Sequence, residues 1–173
     1  MTTSLTGPVR SVADIPTRPD RNRMRAETGA RLRAAMAERG VGALILLGNN
    51  AVTYATGTSW PLGDAGLSHV ERPVALVLAD DPAPHLFLPF REGAAEETEL
   101  PADHLHGPVY LEFDEGVEHF AGIVAGLVPR GTAVAVDELT GAMRRCASLL
   151  FPDGAPGDAA VIVGAAKTVK TAD

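Results

Sequence analysis

The 173 residues contain one cysteine, Cys146, so no intrachain disulfide can form. The polar start "MTTSLTGPVRSVADIPTRPDR" has no apolar stretch to serve as a signal peptide, and with the cysteine scarcity this leads us to expect a cytoplasmic protein. Apolar runs fall far short of the roughly 20 residues that span a bilayer, so no membrane segment is expected. No basic stripe interleaves with aromatics. At a net charge of −7 the chain also lacks the attraction to phosphates that nucleic-acid binders show. A Gly-x-Ser-x-Gly elbow is missing, and Cys146 falls at an inward helical position, leaving no candidate for nucleophilic catalysis.

What is present is the composition of one folded domain: nearly half the residues are apolar and about a fifth are charged. The first 20 residues carry Pro8, Pro16 and Pro19 without apolar period and read as an arm. From Asp20 to Gly40, Met24, Thr28, Leu32, Ala35 and Met36 recur at helical spacing, with five arginines on the other face. "VGALILLG" is short, continuous and bounded by glycines, as buried strands are. "NNAVTYATG" predicts a short helix or turn with an Asn as cap and Gly57 as stop, and residues 58–72 a long loop. "PVALVLAD" and "PHLFLPF", separated by "DPAP", predict a hairpin.

Further on, "EGAAEETEL" predicts an acidic helix, "HLHGPVYLEF" an irregular strand region, and "EGVEHFAGIVAGLV" a helix with Val117, Phe120, Ile123, Val124 and Leu127 inward. "GTAVAVDEL" reads as a strand, "TGAMRRCASLLF" as a helix and "AAVIVGA" as the last strand. Helices alternating with buried strands imply an α/β fold: three layers, α/β/α, around a mixed, mostly buried sheet of about five to six strands.

Residues that could carry chemistry are sparse. "GAAKT" invites a phosphate-loop reading, but the motif needs glycine where Val161 and Ala166 stand. His104 and His106, two apart, would share one face of a strand and with Asp103 or Glu112 could hold a metal; the Pro101, Gly107 and Pro108 around them favour solvated loop histidines. Glu92, Glu96, Glu97 and Glu99 crowd one segment, which reads as an exposed acidic helix because the Gly-punctuated pattern of a calcium loop is missing. No catalytic constellation emerges.

The ordered series "RLRAAMAERGVGALILLGNNAVTYATG", a loop, "VALVLAD", "LFLPF" and finally "KTVKTAD" resembles the N-terminal domain of the pita-bread metallopeptidase family, that of aminopeptidase P, prolidase and creatinase. Asn49 or Asn50, Tyr54, Thr56 and Gly57 match its Asn-x-x-Tyr-x-Thr-Gly segment, and Val169, Lys170 and Thr171 its closing linker. Two positions depart: Thr58 follows the glycine and the aromatic comes as Trp60, and Ala166 or Lys167 replaces the linker arginine.

The resemblance implies an arm over 1–20, a creatinase/prolidase-like N-terminal domain over 21–166, and over 167–173 the start of a linker to a C-terminal catalytic domain absent from this chain. That absent domain would hold two divalent ions (Mn, Zn or Co) through Asp, Asp, His, Glu and Glu, so the resemblance implies no cofactor in this chain. The chain alone would be non-catalytic, the full-length parent a peptidase-like hydrolase. Its implied partners are that catalytic domain and further copies in a homo-oligomer. The resemblance makes Trp60, His69, Arg72 and Tyr54 the four candidates for lining part of a substrate pocket, with packing the commoner role for Tyr54. The alternative is a stand-alone α/β module that binds a small molecule or a protein through the 58–72 loop.

Overall fold

A computed structural model describes residues 21–58, 70–89 and 98–168. The arm, most of the 58–72 loop, most of the expected acidic helix and the residues after Thr168 lie outside the described residues.

The first helix, α1 (Arg21–Ala37), leads through Gly40, whose φ of +64° suits glycine, into strand β1 (Ala43–Leu46). Helix α2 (Asn49–Thr56) follows, then the hairpin β2 (Val74–Leu78) and β3 (His85–Phe87). A 3-10 turn (Ala102–His104) opens into β4 (Leu105–His106). Helix α3 (Asp114–Leu127), strand β5 (Val134–Val136), short helices α4 (Gly141–Arg145) and α5 (Ala147–Leu150), strand β6 (Gly157–Asp158) and helix α6 (Ala159–Thr168) complete the order.

The six strands form one mixed sheet in the order β4-β3-β2-β1-β5-β6. The hairpin pairs antiparallel, as does β1 with β2, where Ala43 faces Leu78; β1 runs parallel to β5, with Ala43 opposite Val134. Because side chains alternate along a strand, β1 sorts its residues between two cores. Leu44 and Leu46 pack with Leu32 and Met36 of α1, Val52 of α2 and Ile162 of α6. Ala43, Ile45 and Leu47 pack with Phe120 and Val124 of α3 and Met143 of α4. The three-layer arrangement follows: β1 has no solvent face, which is why "ALILL" reads as an unbroken apolar run.

Four details correct the sequence reading. "AAVIVGA" is not a strand; it lies in α6, with Ala159, Ile162, Val163 and Ala166 buried at helical spacing. The Asp158 carboxylate accepts the Ala160 amide at 2.8 Å and starts that helix, while the sixth strand is the two residues before it. "TGAMRRCASLLF" breaks at Cys146 into α4 and α5. Met24, expected inward, is 51% exposed. In "HLHGPVYLEF" only Leu105 and His106 are strand, and the chain then bends so tightly that a Cβ at Gly116 would lie 2.0 Å from the Tyr110 carbonyl oxygen.

On the expected arginine face of α1, Arg23 and Arg31 both reach Glu27 one turn away, and Arg25 donates to Asn22 at 2.6 Å. Arg33 instead donates to the carbonyls of Asp81 and Pro82 at 3.3 and 3.1 Å, tying α1 to the β2–β3 turn. Among the described residues no helix is long and apolar enough to cross a membrane.

Candidate functional site

Strands β1 and β5 are parallel neighbours, yet the chain leaves β1 into α2 on one face of the sheet and β5 into α4 on the other. Such a divergence opens a crevice beyond the carboxyl ends of the strands, where α/β folds place their ligands. A groove of about 560 Å³ occupies this position, lined by Gly48, Asn49 and Asn50 at the start of α2, Asp137 and Glu138 after β5, and Gly164 and Lys167 of α6.

The turn from β1 into α2 is held by Asp137. Its Oδ1 accepts the Leu47 amide at 2.8 Å and its Oδ2 the Gly48 amide at 3.0 Å. A Cβ on residue 48 would sit 3.0 Å from Oδ2 and 3.3 Å from Oε1 of Glu138, so the close approach of the acids favours glycine here. The α2 N-cap is therefore Gly48, without a side-chain cap, and not the asparagine the sequence suggested. Burial pushes the Asp137 carboxyl above its ordinary range, with the two amide bonds acting against that shift and the Glu138 charge adding to it. Asn49 Oδ1 is buried without a hydrogen-bond partner, an acceptor left unused beside the groove.

Two of the four sequence candidates flank this groove. The Tyr54 hydroxyl donates to the Ala166 carbonyl at 3.0 Å, and Lys167 Nζ stands 5.2 Å over the Tyr54 ring. Tyr54 thus fixes α2 to α6. Arg72 donates to Glu138 at 2.9 Å and to Glu112 at 3.1 Å, with its side chain only 14% exposed. The other end of the 58–72 loop is fixed too, since the buried Thr58 donates its amide to Thr56 Oγ1 at 3.2 Å. Trp60 and His69 lie outside the described residues.

Asp137 and Glu138 were missed by sequence reasoning, and Lys167 was set aside with the phosphate-loop motif. The available signal was the pair of acids directly after a strand that runs parallel to β1, at the end where such folds gather polar groups. The groove offers carboxylates, amide groups and one ammonium, suited to hydrogen-bonding a polar ligand or chain segment. Cys146 is half-buried and does not line the groove, and loss of solvent raises its thiol above the usual value, aided by Asp114 and Glu118.

The histidine grouping also differs from expectation. His104 ends the 3-10 turn and His106 lies in β4, so the two do not share one strand; Glu112 is taken by Arg72, and the acid that meets His104 is Asp81. A dinuclear centre of the kind the resemblance implies needs four carboxylates and a histidine. Among the described residues the one convergent donor group, Asp81, His85 and His104, holds a single carboxylate and does not fit it.

The chain belongs to the family described as the creatinase/prolidase N-terminal domain, whose pattern matches residues 30–162. No curated protein matches the sequence. Among solved structures, a proline dipeptidase from Streptococcus pneumoniae TIGR4 superposes with a TM-score of 0.55 at 17% identity, covering 82% of this chain and 98% of that one. The prolidase from Pyrococcus horikoshii OT3 gives 0.54 at 14% identity over 79% of this chain, which spans only 33% of the prolidase. The N-terminal domain of the cytoplasmic peptidase PepQ from Mycobacterium tuberculosis H37Rv gives 0.50 at 16% identity, covering 84% and 98%. These likenesses are of fold: the mixed sheet with helices on both faces is that of a creatinase/prolidase N-terminal domain.

Proposed function

We propose that this chain is the non-catalytic N-terminal domain of a cytoplasmic, metal-dependent Xaa-Pro aminopeptidase-, prolidase- or creatinase-like hydrolase. It contributes oligomer contacts and one wall of the substrate pocket to a C-terminal catalytic domain, which carries the two metal ions. The observation that carries this reading is the family match across residues 30–162. The Pyrococcus prolidase is about three times as long as the stretch this chain spans, which leaves room there for a further domain.

The pocket role is supported by the anchoring of the 58–72 loop at both ends, by Thr58 on Thr56 and by Arg72 on Glu112 and Glu138. Trp60 and His69 lie in sequence between these two anchored ends. Arg72 serves as the anchor. For oligomer contacts the chain offers Tyr110 and Phe113 before and at the start of α3 and Leu149 in α5, which are 42%, 53% and 53% exposed.

The test is direct. Purified chain incubated with an Xaa-Pro dipeptide and manganese is expected to release no proline; turnover proportional to the chain, and absent from a mock purification, would overturn the reading.

A further inference from the structure

On the β3–β4 edge of the sheet, away from the groove, three histidines gather around one aspartate. His85 opens β3, His104 ends the 3-10 turn, His106 lies in β4, and Asp81 sits in the β2–β3 turn. That turn is fixed twice: Asp81 Oδ1 accepts the Ala83 amide at 3.0 Å, and Arg33 binds the carbonyls of Asp81 and Pro82. Oδ2 is thereby aimed at His85 Nε2, 3.6 Å away, and His104 Nε2, 3.7 Å away. Both distances are too long for a good N–H···O bond. They are close to the roughly 3.4 Å that separates ligand atoms around a tetrahedral ion with bonds of about 2.0–2.2 Å.

We propose that Asp81, His85 and His104 bind one divalent transition-metal ion of the zinc class, with His106 as the residue that positions His85. One ligand atom from each of the three residues lies within 4.8 Å of the other two. The side chains of His85 and His104 are only 6% and 13% exposed, so the ion is shielded from water on the protein side. His85 uses Nε2 toward the ion and Nδ1 toward His106 Nε2 at 3.1 Å, the outer hydrogen bond that fixes the tautomer of a ligating imidazole. His106 is itself stacked on Phe87, with ring centroids 4.6 Å apart.

The rings of His85 and His104 are stacked 4.2 Å apart and within 10° of parallel, so their lone pairs converge only after one ring turns. His104 is the one that turns. Its Nδ1 is buried without a partner, so rotation about the soft χ2 torsion sacrifices no hydrogen bond. Two imidazoles and a carboxylate suit zinc and its neighbours and disfavour calcium and magnesium, which take all-oxygen shells. The ion joins the β2–β3 turn and β3 to the segment entering the edge strand β4. With three protein ligands, the fourth position of a tetrahedral ion is left to water.

Cobalt(II) chloride titrated into the metal-free full chain tests this. Visible absorption of a low-coordinate cobalt site should saturate at one equivalent, vanish on adding zinc chloride, and be accompanied by a rise in Tm with zinc. His104→Ala and Asp81→Asn should each weaken binding by at least about 100-fold, and His106→Gln by about 10–100-fold with the stoichiometry kept. Circular dichroism verifies the fold of each variant, and Asp81→Asn decides if His104→Ala unfolds. Failure to saturate at one equivalent, or binding that survives both ligand substitutions unchanged, would overturn the site.

Discussion

Asp137 spends both carboxylate oxygens on backbone amides at the exit of β1, and its removal isolates those amides. Asp137→Ala should therefore lower stability by about 1–3 kcal/mol per stranded donor, measured by urea denaturation. The charge has its own signature. Burial raises the folded pKa above the ordinary 3.8, so this group's contribution is fully present below the unfolded value and is lost as pH rises through the raised folded value. Asp137→Asn lacks that titration, and the variant should gain on the parent as pH rises from below 3.8 through the raised folded value. A stability difference flat with pH would refute the burial account. Tyr54→Phe, which deletes only the hydroxyl bonded to Ala166, should cost about 1 kcal/mol. That Tyr54 packs was implied by the resemblance of its Asn-x-x-Tyr-x-Thr-Gly segment. Its partner was not, being 112 residues away, because sequence period reports which face is buried and not what meets it.

Elements with long, regular apolar period were readable. Helix α3 buries Val117, Phe120 and Val124, which "EGVEHFAGIVAGLV" announces at spacings of three and four, and Phe120→Ala should cost about 3–5 kcal/mol by calorimetry. Strand β1 and the hairpin were legible for a similar reason, as apolar runs bounded by turn residues. Helix α6 was not. Seven apolar residues without a polar position to set the phase fit a buried strand and a buried helix equally. The deciding signal was Asp158, whose carboxylate caps the first amides; Asp158→Ala should lower stability by about 1 kcal/mol and loosen α6 first, seen as faster amide exchange there. Because α6 supplies Lys167 and Gly164, misreading it also hid one wall of the groove.

At the scale of the whole molecule, the order of elements carried the family resemblance, and the match over residues 30–162 establishes it. The groove was harder to foresee, since it is made by the carboxyl ends of β1 and β5, which lie some 90 residues apart in the chain and meet only once the sheet is ordered. If the domain makes oligomer contacts through its exposed aromatics, Phe113→Glu should reduce the mass of the parent assembly in light scattering while leaving the Tm of the monomer unchanged. The central claim is that this domain completes a substrate pocket whose chemistry lies on another. The most direct measurement is steady-state hydrolysis of an Xaa-Pro dipeptide by the full-length parent enzyme carrying Trp60→Ala. The account predicts a KM raised by roughly 10-fold or more with the metal content unchanged, as expected when a pocket-lining aromatic is lost. A KM and kcat both equal to those of the parent would contradict it.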